Sequence, residues 1–348
     1  MQYKKYVFAF CIAFFGTFSL YFITIIFCVK VLSLPILLNA EIWLKDTYKI
    51  KDYINAKVAS KHRLIIISDS NSLFGFNSSL IDAETKYTPI NYATHGGLPI
   101  NFHIDKIIAN AKSGDVILLP LNFGYYTREI PKDEWWYIQN MQIWGDGYDK
   151  FITLRSVLFA LLKTPPRTLA KNIIKVIKQD FKQDKDIFSI MEQSWDKNAP
   201  CEGEFHGYSY KSLNKYGDFC TQVNKEPFLI KNDYGLNANI KVSSFFISEF
   251  KRLQEYAKAN NIRLVLTYPS IARNELLDDK DLAVLGAIST LKSQLEQENI
   301  RIYGDFSEFV FDMQYFYDTN YHLNKEGANL RTKAVIKLLQ DLEQSGEL

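Results

Sequence analysis

The chain has 348 residues, 47% of them hydrophobic and 15% aromatic, enough to bury a large core, which excludes disorder as its theme. Its formal charge is only +2, from 41 basic and 39 acidic residues, and that balance gives no reason to expect nucleic acid as a partner.

The first element is an uncharged run, residues 6–29, dense in Phe, Ile, Leu and Val and bounded by Lys5 and Lys30. A helix over it rises about 1.5 Å per residue and exceeds a ~30 Å bilayer core. A cleaved signal peptide would have an apolar region of about 7–15 residues and a small-residue cleavage site, and no such site follows Val29. Residues 1–32 therefore read as a cytoplasmic tip and single-pass membrane anchor. Lys4 and Lys5 favour a cytoplasmic start, which puts the chain from about residue 40 outside the cytoplasm. Residues 33–60 contain an amphipathic stretch, EIWLKDTYKIKDYINAKVAS, that reads as a stalk helix leading into a domain over 61–348.

That domain opens on RLIIISDSNSLFGFN, residues 63–77. RLIIIS is a short aliphatic run bounded by polar residues and predicts a buried central strand. Asp69, Ser70, Asn71 and Ser72 follow it. In an open α/β sheet, ligands bind in the crevice at the carboxyl ends of the strands, so Ser70 is a candidate nucleophile. A turn that merely caps a helix is the commoner meaning of such a polar quartet.

PINYAT, residues 89–94, predicts a second strand, ending at His95, Gly96 and Gly97, and LPINFHIDKIIANA then has helical spacing. The Gly96 N–H is placed to face a ligand; an ordinary strand-to-helix turn is the alternative. His95 reads as structural. SGDVILLPLN, residues 113–122, predicts a third strand ending at Asn122, whose amide stands at the same edge as Ser70 and Gly96 and can donate to an oxyanion. Strand and helix have by then alternated three times, which argues for parallel strands in a doubly wound sheet.

Residues 123–240 break the alternation and read as one large, mainly helical or irregular insert. Its aromatic residues Tyr125, Tyr126, Trp135, Trp136, Tyr137 and Trp144 suit a core better than a sugar-stacking surface. Lysines and arginines over 150–185 mark a solvated helix face or a face resting on a membrane or anionic polymer. Cys201 and Cys220 are the two cysteines of the exported part; export favours a disulfide between them, two free thiols being the alternative. Zinc is not expected, since His206 stands alone, and nothing calls for another metal or a cofactor. Alternation resumes with a helix in VSSFFISEFKRLQEYAKANN, a strand in IRLVLTYPS, a helix in DKDLAVLGAISTLKSQLEQEN and a last strand in IRIYGD. YFYDTNYHLNKEGANLRT then places Asp318 and His322 just before a final helix, supplying a base and an orienting carboxylate for Ser70.

SDSN after the first strand, Gly96 in NYATHGG, Asn122 after the third strand and Asp318 with His322 before the last helix resemble, in order, the four blocks of SGNH/GDSL hydrolases. The anchor, the insert and the ending YHLNKEG look like the membrane-anchored SGNH-like proteins of bacterial surface-polymer acylation. The first block reads SDSN rather than GDSL, Pro120 and Leu121 precede Asn122 where the family has glycine, and Asp318 stands four residues before His322 rather than three.

The resemblance implies a three-layer, flavodoxin-like parallel sheet in a bacterial cytoplasmic-membrane protein. It implies Ser70 as nucleophile, His322 as base and Asp318 as its orienting group, with Ser70, Gly96 and Asn122 holding the oxyanion. The expected activity is that of an O-acyltransferase or esterase. Its partners would be an extracytoplasmic polysaccharide or its acyl donor and a membrane-bound acyl-transfer protein. A catalytically inactive scaffold of polysaccharide assembly is the alternative function.

Overall fold

The computed structural model describes residues 2–30, 41–130, 134–144, 186–197, 205–219, 221 and 234–348, with scattered positions between 155 and 174. The chain divides into two compact units, Met1–Ile42 with Pro131–Lys185 and Trp43–Ile130 with Asp186–Leu348. The first contains an N-terminal helix, Gln2–Lys30, whose stretch Tyr3–Thr24 has a mean hydropathy of 2.0 and no buried residue. It is long and apolar enough to cross a membrane. Phe10, Phe14, Phe18 and Phe22 run along one stripe of it with successive ring centroids 6.3, 6.2 and 4.6 Å apart. The same unit holds the helix Trp135–Ile143, with Tyr137 and Trp144 buried as expected of core aromatics.

The second unit is built on a parallel sheet of strands β1 (Arg63–Ile66), β2 (Thr88–Asn91), β3 (Val116–Pro120) and β4 (Arg263–Thr267) in the order β2-β1-β3-β4. Ile65 stands opposite Ile90 on one side and Ile117 on the other, and Leu118 opposite Val265. These near-continuous aliphatic runs are buried, as strands covered on both faces must be. The segment expected as the last strand contributes one parallel bridge, Ile302 to Leu266. Tyr303 N still donates to Leu266 O, but Gly304, at φ +90°, then turns the chain away and ends the pairing.

Right-handed crossovers put the β1–β2 connection on one face and the β2–β3 and β3–β4 connections on the other. The packing agrees: helix Ile100–Asn110 lies against Ser244–Ala259, and helix Ser78–Glu84 against the C-terminal helix Lys325–Gln344. The chain leaves β1 and β3 in opposite lateral directions, so a crevice opens between their carboxyl ends. Those ends are tied together, with Ile67 N donating to Leu118 O at 3.0 Å and Ser68 Oγ to Pro120 O at 2.8 Å.

The segment read as a stalk forms the helix Trp43–Lys57, but it belongs to the α/β unit and packs on β2. Its Lys51 is fully buried and donates to Asn91 O at 2.5 Å and Gly217 O at 2.7 Å, while burial pushes its amine well below the usual lysine range. The neighbouring Asp218 accepts from Ser78 N, Asn91 Nδ2 and Asn214 Nδ2. Residues 205–219, part of the stretch read as an insert in the domain, are built into the same unit, and Phe219 N donates to Leu73 O. The pairing of Cys201 with Cys220 lies outside the described residues.

At the amino-terminal end of the sheet, Arg63 Nη2 meets Asp115 Oδ2 at 2.9 Å with both side chains buried. Removing one partner leaves an uncompensated buried charge, so Asp115→Ala should destabilise the protein by about 3–5 kcal/mol. Denaturant unfolding of the detergent-solubilised chain checks this, and Arg63→Met with Asp115→Leu should recover much of the loss.

Candidate active site

Ser70 is the first residue of a one-turn helix, Ser70–Leu73, immediately past β1. Asp69 caps it, with the Asp69 Oδ1 accepting from Asn71 N at 3.0 Å. The turn is held from two other elements. Asn71 exchanges hydrogen bonds with the Ser270 backbone just after β4, Nδ2 to Ser270 O at 2.6 Å and Ser270 N to Oδ1 at 3.0 Å. From the C-terminal helix, the buried Arg331 donates to Asn71 O at 2.9 Å and Ser72 Oγ at 3.3 Å. A side chain at Gly75 would place its Cβ 2.1 Å from Arg331 Nη1, so the close approach requires glycine there.

His322 arrives on a hairpin closed by the antiparallel bridge Phe316–Leu323 and by Tyr317 N donating to His322 O at 2.7 Å. Its Nε2 lies 2.9 Å from Ser70 Oγ, and its Nδ1 lies 2.8 Å from Asp318 Oδ1. Asp318 thus reaches the imidazole despite its four-residue spacing. The ring stacks on Phe74, centroids 4.2 Å apart and planes at 14°, which fixes its tilt. Tyr208 Oη stands 3.5 Å from Nδ1 on the Asp318 side.

A cavity of about 450 Å³ opens beside Ser70, lined among others by Asp69, His95, Gly96, Asn122, Tyr125 and Arg128. Three donors at this cavity have no acceptor among the described residues: the backbone N–H groups of Ser70 and Gly96 and the Nδ2 amide of Asn122. Asn122 Oδ1 is occupied by Gly124 N at 3.1 Å, which turns the amide nitrogen the other way. Two are backbone N–H groups and one a side-chain amide, and three donors around one hollow suit a negatively charged oxygen. Ser70, His322, Asp318, Gly96 and Asn122 are therefore brought together at one edge of the sheet. Among the described residues no group of three or more His, Cys, Asp or Glu is placed to hold a metal.

Electrostatics separate the titratable groups. Burial, then the charges of His322 and Arg128, push His95 down to about 4. Its Nδ1 accepts from Gly97 N at 2.9 Å, so the neutral ring carries its proton on Nε2. Burial pushes Asp69 up to about 6, against its hydrogen bond from Asn71 and the positive charges of Arg331 and His322. His103, fully buried, is pushed down to about 3 and meets Tyr125 Oη at 2.9 Å behind the cavity wall. Sequence reasoning missed Arg331, Phe74, Arg128 and the Asn71–Ser270 pair. Arg331 had one usable signal, Gly75, whose lack of a side chain marks a close approach. Comparison with protein-family models, curated proteins and solved structures found no match for the chain.

The raised Asp69 value sets a pH dependence. The folded state holds the Asp69 proton more tightly than the unfolded chain does, so stability from this group is full below about pH 4 and falls as pH rises through 6. Asp69→Asn keeps a capping oxygen and cannot ionise. Between pH 4 and 6 the melting temperature of the native protein should therefore fall relative to that variant, and parallel profiles would contradict the assignment.

Proposed function

We propose that the protein is a membrane-anchored serine enzyme of acyl esters, an O-acyltransferase or esterase of the SGNH/GDSL kind, acting on a polysaccharide outside the cytoplasm. The observation that carries this reading is the 2.9 Å contact between Ser70 Oγ and His322 Nε2, which joins residues 252 positions apart in the chain. Asp318 on the other ring nitrogen and the three unused donors at the cavity support it. The order β2-β1-β3-β4, with Ile302 bridged beyond β4, supports the flavodoxin-like arrangement that the sequence blocks imply. The apolar N-terminal helix supports the anchor, with the α/β unit on the far side of the cytoplasmic membrane.

In this reading Asp318 accepts a hydrogen bond from the His322 Nδ1–H, which holds the proton on Nδ1 and leaves Nε2 free to act as base. Ser70 Oγ attacks the carbonyl carbon of the acyl donor while Nε2 takes the hydroxyl proton, a general-base contribution of roughly 10²–10⁴-fold. The carbonyl oxygen becomes an oxyanion held by Ser70 N, Gly96 N and Asn122 Nδ2, each donor worth about 3 kcal/mol. Collapse breaks the bond to the leaving oxygen, which departs with the proton from His322 and leaves an ester on Ser70. A sugar hydroxyl then attacks that ester, passing its proton through His322 back to Ser70 Oγ. Water in the same position completes a hydrolysis instead. The residues are common to both outcomes, and the acceptor that reaches the cavity decides between them. Tethering favours transfer, since it holds the site beside polymers assembled at the membrane and beside a membrane-bound acyl-transfer partner.

A fluorophosphonate should label the native protein at Ser70, and Ser70→Ala should lose both labelling and turnover. Asp318→Asn should lower kcat by about 10²–10⁴-fold with little change in KM. Surface-polymer ester content should fall in cells carrying Ser70→Ala. No labelling of correctly folded native protein would overturn the enzyme reading in favour of an inactive scaffold.

A further inference from the structure

We infer that Arg128 is the positioning residue of the oxyanion site, locking the two-glycine turn so that the Gly96 N–H faces the reaction. The inference rests on the serine-enzyme reading and adds to it a residue that no block of the resemblance contains. Its basis is the hydrogen bonding of the turn His95–Leu98. Leu98 N donates to His95 O at 3.1 Å, and Gly97 N donates to His95 Nδ1 at 2.9 Å. The carbonyls of the two glycines are both taken by one guanidinium, Arg128 Nη1 to Gly96 O at 3.2 Å and Nη2 to Gly97 O at 2.9 Å. The Gly96 N–H has no acceptor among the described residues, in a turn that lines the cavity beside Ser70. Gly96 also lies against the capping carboxylate of Asp69, at 3.5 Å from where a Cβ would stand.

The chemistry explains why an arginine is there. Two consecutive glycines have the widest backbone freedom, and an oxyanion donor must be fixed before the charge develops. A planar fork with parallel N–H groups holds two carbonyls in a set orientation, whereas an ammonium group is a point charge on a flexible stem. Arg128 is itself fixed at its backbone, its N donating to Gly124 O at 3.1 Å and its O accepting from Ser243 Oγ at 2.9 Å. Ser243 caps the helix Ser244–Ala259, so the turn after β2 is braced from the turn after β3 and from the helix that leads into β4. Its role is to hold another group in place rather than to touch the reacting atoms.

The test uses the detergent-solubilised full chain, with p-nitrophenyl acetate and a fluorophosphonate as probes. Arg128→Met should lower kcat, and the limiting rate of Ser70 labelling, by roughly 10- to 100-fold, the cost of about 1 Å of misplacement. KM should stay within about two-fold, since the donor acts in the transition state. Arg128→Lys, which can reach one carbonyl, should fall between, and added guanidinium should restore part of the activity of Arg128→Ala. Where Arg128→Met melts early, the lysine variant and the guanidinium rescue carry the decision. An unchanged kcat in all three variants overturns the inference while leaving the enzyme reading intact. So does a raised KM at constant kcat, which would make Arg128 a ground-state binding group. A native protein with no Ser70-dependent turnover overturns the enzyme reading and this inference with it.

Discussion

The site depends on one buried cation. Arg331 lies on the C-terminal helix with its side chain fully enclosed, and its guanidinium reaches Asn71 O and Ser72 Oγ in the turn that carries Ser70. Burial pulls it down to about 9, opposed by the negative charge of Asp69, and its guanidinium carbon sits 4.5 Å above the Phe76 ring. A charge in such a place is tolerated only when its hydrogen bonds and a counter-charge are supplied together. The partners must then be where they are: Asp69 at the cap, Asn71 and Ser72 in the turn, and glycine at 75. The helix that presents Arg331 begins at Lys325, three residues past His322, so the clamp also fixes how far His322 stands from Ser70.

Asp69 is consequently in two networks at once. It satisfies a free N–H of the one-turn helix and it offsets Arg331, and its own carboxyl is pushed up by the burial that both tasks require. The sequence offered capping and catalysis as alternatives for the polar quartet 69–72. The structure shows the cap, and a cap at position 69 is what starts a helical turn at position 70 and points its first side chain out of the sheet edge toward His322. Local chemistry that looks merely structural is here the means by which a hydroxyl is presented.

Much of this was legible because it is periodic or local. The aliphatic strands, the amphipathic helices over 100–110, 244–259 and 325–344, and the polar residues at strand ends follow from side-chain pattern and turn chemistry. Less legible are the segments whose partners are distant. Helix Trp43–Lys57 looked like a stalk because Lys51 reads as a solvent charge, and only the carbonyls of Asn91 and Gly217 make its burial possible. Residues 205–219 looked irregular because their order comes from Lys51, Asn91 and Ser78 rather than from any repeat of their own. Arg128 left no pattern in its own neighbourhood because its partners are distant backbone carbonyls, and Arg331 left only Gly75 as a mark.

The spacing of Asp318 and His322 shows how such departures are absorbed. Between them lie Thr319, Asn320 and Tyr321, one residue more than the resemblance implies, yet Asp318 Oδ1 still meets Nδ1 at 2.8 Å. The reason is the hairpin. The bridge Phe316–Leu323 and the bond from Tyr317 N to His322 O fix the two ends of the loop side by side, so Asp318 and His322 are neighbours across a closed turn whatever the loop contains. The added length is taken up at the tip, where Thr319 Oγ1 accepts from Tyr321 N at 3.2 Å and Asn320 O accepts from Tyr234 Oη at 2.8 Å. Tyr234 Oη in turn accepts from Ala272 N, which ties the tip to the strand after β4. A spacing rule taken from sequence holds only for one loop geometry. What the chemistry requires is the distance between a carboxylate and a ring nitrogen, and a loop braced at both ends and at its tip can meet it with a different number of residues.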